Sequence, residues 1–205
     1  MTDITNGYTT FNTYRQRFYT ADNLTDTEDE GAVDSVITAI SRAIDDITAR
    51  RFYATTETRY FTADRHDYLR VFDLLSITAD KLLTDEDGDR VYEQIWATTD
   101  YDLMPLNAAL DGEPYTWLEI TPNGDYSFPL VSKGVSINGS FGFSATTPPA
   151  IEEACLLSAH RLMKRASTPL GVSGSANLAA VNIIIKSLAA DPDIMGLLMP
   201  YVKRF

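Results

Sequence analysis

The sequence is poor in the residues that most often carry chemistry. It holds one cysteine, Cys155, and two histidines, His66 and His160, in 205 residues. One cysteine excludes an intramolecular disulfide framework, and so few Cys and His exclude a zinc site built on their clustering. Cations are also scarce, 17 Lys and Arg against 29 Asp and Glu, for a formal net charge of −12. A broad clamp on DNA phosphates needs clustered cations, so that class is excluded as a default. No apolar run approaches the ~20 residues that cross a bilayer. Residues 1–13 lack the basic-then-apolar pattern of a signal peptide. The expectation is an intracellular, soluble, non-membrane protein.

Signature motifs are equally absent. There is no phosphate loop and no Gly-x-Gly-x-x-Gly. Gly171-Val172-Ser173-Gly174-Ser175 lacks the Gly-x-Ser-x-Gly spacing of a nucleophile elbow. Cys155 and His160 are five apart, about 140° round a helix, and do not face one another. No catalytic residue, metal ligand or cofactor is expected. The acidic run Asp85-Glu86-Asp87-Gly88-Asp89 fails the calcium-loop spacing of an EF-hand and reads as a solvated hairpin turn.

Three regions differ in period. Residues 28–51 place Val33, Val36, Ile37, Ile40, Ile44 and Ile47 on one helical stripe. Thr27 and Glu30 form a capping-box pattern ahead of it. A shorter helix is expected over 11–19, with Phe11, Tyr14, Arg15 and Phe18 near one face. Residues 55–146 are dense in threonine and aromatics, with recurrent turn signals, and read as strands. Asp87-Gly88 is expected to turn a hairpin between Lys81-Leu82-Leu83 and Arg90-Val91-Tyr92. Val135, Ile137 and Gly139 alternate with Ser136, Asn138 and Ser140 as a half-buried strand does. A short helix is expected near 104–109. Trp96, Tyr101, Tyr115 and Trp117 read as sheet-packing residues, with a carbohydrate-binding face as the other use of so many aromatics.

From residue 147 the pattern is helical again. Pro148-Pro149 opens a helix carrying Ile151, Ala154, Cys155 and Leu162 on one face and ending near Ser167. Residues 171–177 read as a loop, and 182–186 as a β-branched run, extended or helical. Asp191 as N-cap and Pro192 as first residue start a last helix, with Ile194, Leu197, Leu198 and Tyr201 on its apolar face. The expected fold is α+β: a small helical bundle from residues 1–54 and 147–205, with a β-rich insertion over 55–146. Its helical core candidates are Val33, Ile37, Ile40, Ile44, Ile47, Ile151 and Leu162. Charge is uneven as well. Residues 1–119 carry 24 acids and 10 bases, and residues 120–205 carry 5 acids and 7 bases.

The order and spacing of several segments resemble the head–tail connector, or adaptor, proteins of tailed bacteriophages. The resemblance is carried by the helix at 37–45 with Arg50, Arg51 and Phe52 after it, then Asp73-Leu74-Leu75-Ser76 and the acidic run at 84–89. It continues through Trp96 to Tyr101 with Pro105 and Asn107, the strand at 135–143 with Pro148 and Ala154, and the ending Asp191-Pro192-Asp193 through Tyr201. It implies a structural virion protein with no enzymatic activity, made in the bacterial cytoplasm. Such a protein forms a ring, usually of twelve copies, beneath the portal protein ring at the head–tail interface. A stopper or tail-completion protein binds below, and double-stranded DNA passes through without sequence-specific binding. The resemblance places portal docking on the C-terminal segment, with Ile194, Leu197, Leu198, Pro200, Tyr201, Lys203 and Arg204 as candidates. The alternative function is a carbohydrate- or host-surface-binding module built on the aromatic insertion.

Overall fold

The computed structural model describes residues 6–19, 27–166 and 191–203, without the side chains of 27–29, 165 and 166. The elements are α1 (Phe11–Phe18), α2 (Thr27–Thr48), β1 (Thr55–Phe61), β2 (Tyr68–Thr84), β3 (Gln94–Ile95) and β4 (Tyr101–Met104). Then come α3 (Ala108–Asp111), β5 (Tyr115–Ile120), β6 (Val135–Phe141), α4 (Pro149–Ala166) and α5 (Pro192–Leu198), closed by a 3-10 turn at Met199–Tyr201. The fold is α+β. It divides into two compact units, Met1–Arg50 with Thr147–Phe205, and Arg51–Thr146. The expected capping side chain Thr27, the helix end at Ser167, the loop at 171–177, the run at 182–186 and Arg204 lie outside the described residues.

In the helical unit, α2 packs on α4, and α1 and α5 each pack on α4. The stripe on α2 explains why. Val33, Ile37, Ile40 and Ile44 are buried, while Val36 and Ile47 at its margins are half-buried. From α4, Ile151, Ala154, Cys155 and Ala159 are buried. Leu162 departs from the expectation, standing 38% exposed. Helix α1 meets α4 at His160 and α5 meets it at Arg161. Leu162 lies about 200° round the helix from His160 and so faces solvent. Helix α1 is too short to hold by itself. It is capped by the Thr10 hydroxyl, which accepts from the Thr13 N–H at 3.2 Å, and anchored by Tyr14, which is fully buried.

The sheet unit is one antiparallel sheet in the order β1-β6-β2-β5-β4, with β3 paired to β2. Strand β2 is its spine, pairing with β5 in its first half, β3 at its end and β6 along most of its length. Its register shifts between Arg70 and Leu74, between Leu74 and Ser76, and between Ile77 and Leu82. The first and last of these hold an aspartate in the left-handed region, Asp73 at φ 50° and Asp80 at φ 57°. Asp tolerates that conformation better than most residues, and such bulges bend a long strand. The core face carries Leu69, Val71, Leu74, Leu82, Leu118, Ile137 and Phe141. Trp96 seals one end, stacked on Phe128 at 4.7 Å and 11°, with its Nε1–H donating to Thr84 Oγ1 at 3.0 Å. Strands β2 and β6 approach closely at Gly139, where a Cβ would lie 2.2 Å from the Ser76 carbonyl oxygen.

The expected hairpin differs in detail. Arg90-Val91-Tyr92 is not a strand; the return strand is β3, pairing Leu83 with Ile95 and Thr84 with Gln94. The connection at 85–93 is longer because its aspartates bond to backbone N–H groups and hold it open as successive turns. Asp85 accepts from Gly88 at 2.7 Å and from Arg90 at 2.9 Å, and Asp89 accepts from Val91 at 2.7 Å. The helix expected near 104–109 is α3, displaced toward the C-terminus and ended by Gly112 at φ 72°. No described helix is long and apolar enough to cross a membrane.

Candidate docking surface

The C-terminal segment begins as its residues dictate. Asp191 is the N-cap of α5, its carboxylate accepting from the Asp193 N–H at 3.2 Å, and Pro192 takes the first turn where no N–H is needed. Seven residues of helix have little stability alone, so the segment depends on what it packs against. Ile194 and Leu198, one turn apart, are 2% and 0% exposed, buried within the chain itself. The Arg161 guanidinium forks onto Asp191 and Asp193, reaching Asp193 Oδ2 at 3.2 Å, and ties α5 to α4. Partial burial works against ionisation of Asp191, but the Arg161 guanidinium outweighs it and holds the carboxyl below the ordinary carboxylate range. Past the 3-10 turn, the Lys203 N–H donates to the Thr48 carbonyl at 2.9 Å. That bond satisfies one of the carbonyls left open at the end of α2.

This packing sorts the docking candidates. Ile194 and Leu198 belong to the interior. Leu197, Tyr201 and Lys203 are half-buried and Pro200 is exposed. Met199, which periodicity did not single out, is 53% exposed beside them. The remaining outward surface is therefore a short apolar ridge of Leu197, Met199, Pro200 and Tyr201.

Elsewhere, the cysteine, the two histidines and the acidic cluster each have structural contacts. Cys155 is buried with its Sγ 3.7 Å from Ser41 Oγ, and burial pushes its thiol up to about 11, far from a reactive thiolate. His160 stacks on Phe18 at 4.0 Å, with Nδ1 3.3 Å from the Tyr14 hydroxyl; desolvation, then Lys164, lowers its pKa. His66 Nδ1 lies 2.9 Å from the Phe128 carbonyl oxygen. Asp85, Asp87 and Asp89 each bring a carboxylate oxygen within 4.8 Å of the others, the one described cluster able to face a cation. Both Asp85 oxygens already accept backbone N–H groups. Of the insertion aromatics, Trp96 and Tyr101 are buried and Tyr115 and Trp117 half-buried, with Trp117 Nε1–H donating to Glu119 at 2.8 Å. Trp96 and Tyr101 serve the core of the sheet, while Tyr115 and Trp117 keep part of their rings at the surface.

Sequence periodicity also passed over an apolar pair at one edge of the sheet. Leu106 and Leu110, flanking the start of α3, are 65% and 87% exposed. Their spacing of four beside Pro105 is the signal that marks them.

The chain is similar in structure to a chain in the neck of an empty GTA particle, computed with C6 symmetry, at a TM-score of 0.59 and 17% identity. It is also similar to a chain in the neck of a native GTA particle, computed with C12 symmetry, at 0.56 and 16%. Each alignment covers 100% of this chain and 94% of the other. No protein-family model matches the chain, and no curated protein matches it. At these identities the likeness establishes a shared fold, over the full length, with chains of particle necks. The resemblance to head–tail connectors drawn from the sequence thus meets a fold likeness of the same extent.

Proposed function

We propose that the protein is a head–tail connector of a phage-like virion. It acts as a structural, non-enzymatic subunit that assembles as a ring of twelve beneath the portal ring. It offers its other side to a stopper or tail-completion protein and leaves an open channel for double-stranded DNA. The observation that carries this reading is the full-length likeness to neck chains, with helical and sheet parts both aligned. The net charge of −12 per copy suits a passage that repels DNA phosphate instead of retaining it. Portal docking falls to the ridge of Leu197, Met199, Pro200 and Tyr201, with Lys203 adding charge beside it and Arg204 a charged candidate from the sequence alone. Ile194 and Leu198 hold that ridge in place from beneath.

The test mixes the chain with its cognate portal ring and determines the mass of the complex, for the full chain and for a chain ending at Ala190. Stoichiometric binding that is lost on truncation is the expected result. A folded full-length chain that binds no portal refutes the proposal. Because the truncation also removes Ile194 and Leu198 from the interior, Met199→Ser with Pro200→Ser provides a milder arm. That pair lowers portal affinity while leaving the fold intact.

A further inference from the structure

We propose that residues 6–19 form a strap that opens and closes as one unit over the seam between α2 and α4, while the helices beneath stay folded. This device does not depend on the connector reading. The strap crosses from one helix to the other. On α2, Tyr8 is 2% exposed, its N–H donating to Ser41 Oγ at 3.0 Å and its hydroxyl to the Asp45 carboxylate. The Arg42 guanidinium lies 5.7 Å from the Tyr8 ring centroid and donates to the Asn6 carbonyl at 2.8 Å. On α4, the Thr9 hydroxyl reaches Glu152 at 3.5 Å and Arg17 reaches Glu153 at 3.2 Å. Tyr14 is fully buried, its hydroxyl 3.3 Å from His160 Nδ1, and Phe18 stacks on the same imidazole.

Two features make the strap a separate unit. Its helix is eight residues long, too short to persist undocked, so its folding and its docking are one event. Its bonds to α2 and α4 run through the side chains of those helices, so releasing it takes no backbone bond from either. The Arg17–Glu153 pair is solvent-exposed and adds little. The helices keep a contact of their own: α2 packs on α4, with Ile37, Ile40 and Ile44 buried on one and Ile151, Ala154 and Ala159 on the other. An element held this way opens locally, at a lower cost than global unfolding. What opening uncovers is Cys155. The Tyr8 N–H lies against both Ser41 Oγ and Cys155 Sγ, which are 3.7 Å apart across the seam. The strap is thus the roof over the one thiol in the sequence, buried while the strap is closed.

The experiment treats the full-length chain, under native conditions, with an aromatic disulfide reagent that releases a coloured thiolate on reaction with a thiol. The rate of Cys155 labelling is read beside amide hydrogen exchange. In wild type, protection of the thiol should match that of the α1 amides at 14–19 and fall short of that of the α2 amides at 37–44. Tyr14→Ala removes the buried anchor on α4 and should speed labelling at least ~30-fold. Amide protection in α2 and β2 should be kept, and circular dichroism shows that the variant is folded. Should Tyr14→Ala disturb α2, Phe18→Ala, which removes only the stack on His160, replaces it with a smaller rise in the same direction. Wild-type thiol protection equal to that of the α2 amides overturns the proposal. So does labelling that neither variant speeds, or an equal loss of protection in α1 and α2 in both.

Discussion

Substituting Leu198→Ala should release the C-terminal segment without unfolding the rest of the chain. Leu198 is 0% exposed and Ile194, one turn earlier, 2%, so these two side chains make the apolar anchor of a seven-residue helix. Truncating a buried leucine to alanine costs about 2–5 kcal/mol, the larger values where surroundings cannot relax into the space. An isolated helix of this length contributes almost nothing of its own. The loss therefore falls on the local opening of α5, whose equilibrium constant rises roughly 30- to 3,000-fold, at 1.4 kcal/mol per factor of ten. The assay is native-state hydrogen exchange of the amides at 194–199, read beside amides of β2 and β6. Protection should fall at α5 and hold in the sheet, since local and global opening are separable. Unchanged exchange at α5 would refute the anchor. Equal loss of protection in α5 and the sheet would refute its independence.

Two other outcomes follow from the same geometry. Gly139→Ala would set a Cβ 2.2 Å from the Ser76 carbonyl oxygen, forcing β2 from β6; a cost of ~1–3 kcal/mol or more is expected, read as a Tm lowered by several degrees in calorimetry. The Arg161–Asp191 contact makes α5 acid-sensitive. Asp191 has a lower pKa folded than unfolded, so its contribution is present above the unfolded value of about 3.9 and is lost as pH falls through the folded one. Exchange protection at α5 should therefore decline below about pH 4, and Asp191→Asn should remove that step. An acid response identical in the variant would assign it to other carboxylates.

The legible parts of this fold were those in which local chemistry and burial agree. The α2 stripe, the Asp191–Pro192 start of α5 and the alternation of β6 each combine a period with a residue whose backbone preference fits. The misplaced parts had a local signal that tertiary contacts overrode. Asp87-Gly88 has the composition of a tight turn, but Asp85 and Asp89 bond to backbone farther along and lengthen the connection. Leu162 keeps the helical period of Ile151 and Cys155, yet α4 meets its partners there through His160 and Arg161.

The docking candidates expose a deeper limit of periodicity. An apolar stripe says that a face is removed from water, not which molecule removes it. Ile194, Leu197, Leu198 and Tyr201 share one sequence pattern, yet Ile194 and Leu198 are satisfied inside the chain while Leu197 and Tyr201 are only half covered. What separates them is Arg161, thirty residues upstream of Asp191, whose two carboxylate contacts fix the roll of α5 on α4. Leu106 and Leu110 escaped notice for the converse reason. Two leucines in a stretch of short elements make no period, and only the sheet order, which puts β4 at an edge, gives them a surface to form. Core residues can be read from the sequence because they answer to their own element. The residues proposed here for docking answer instead to the roll of a helix, which is set by contacts far along the chain.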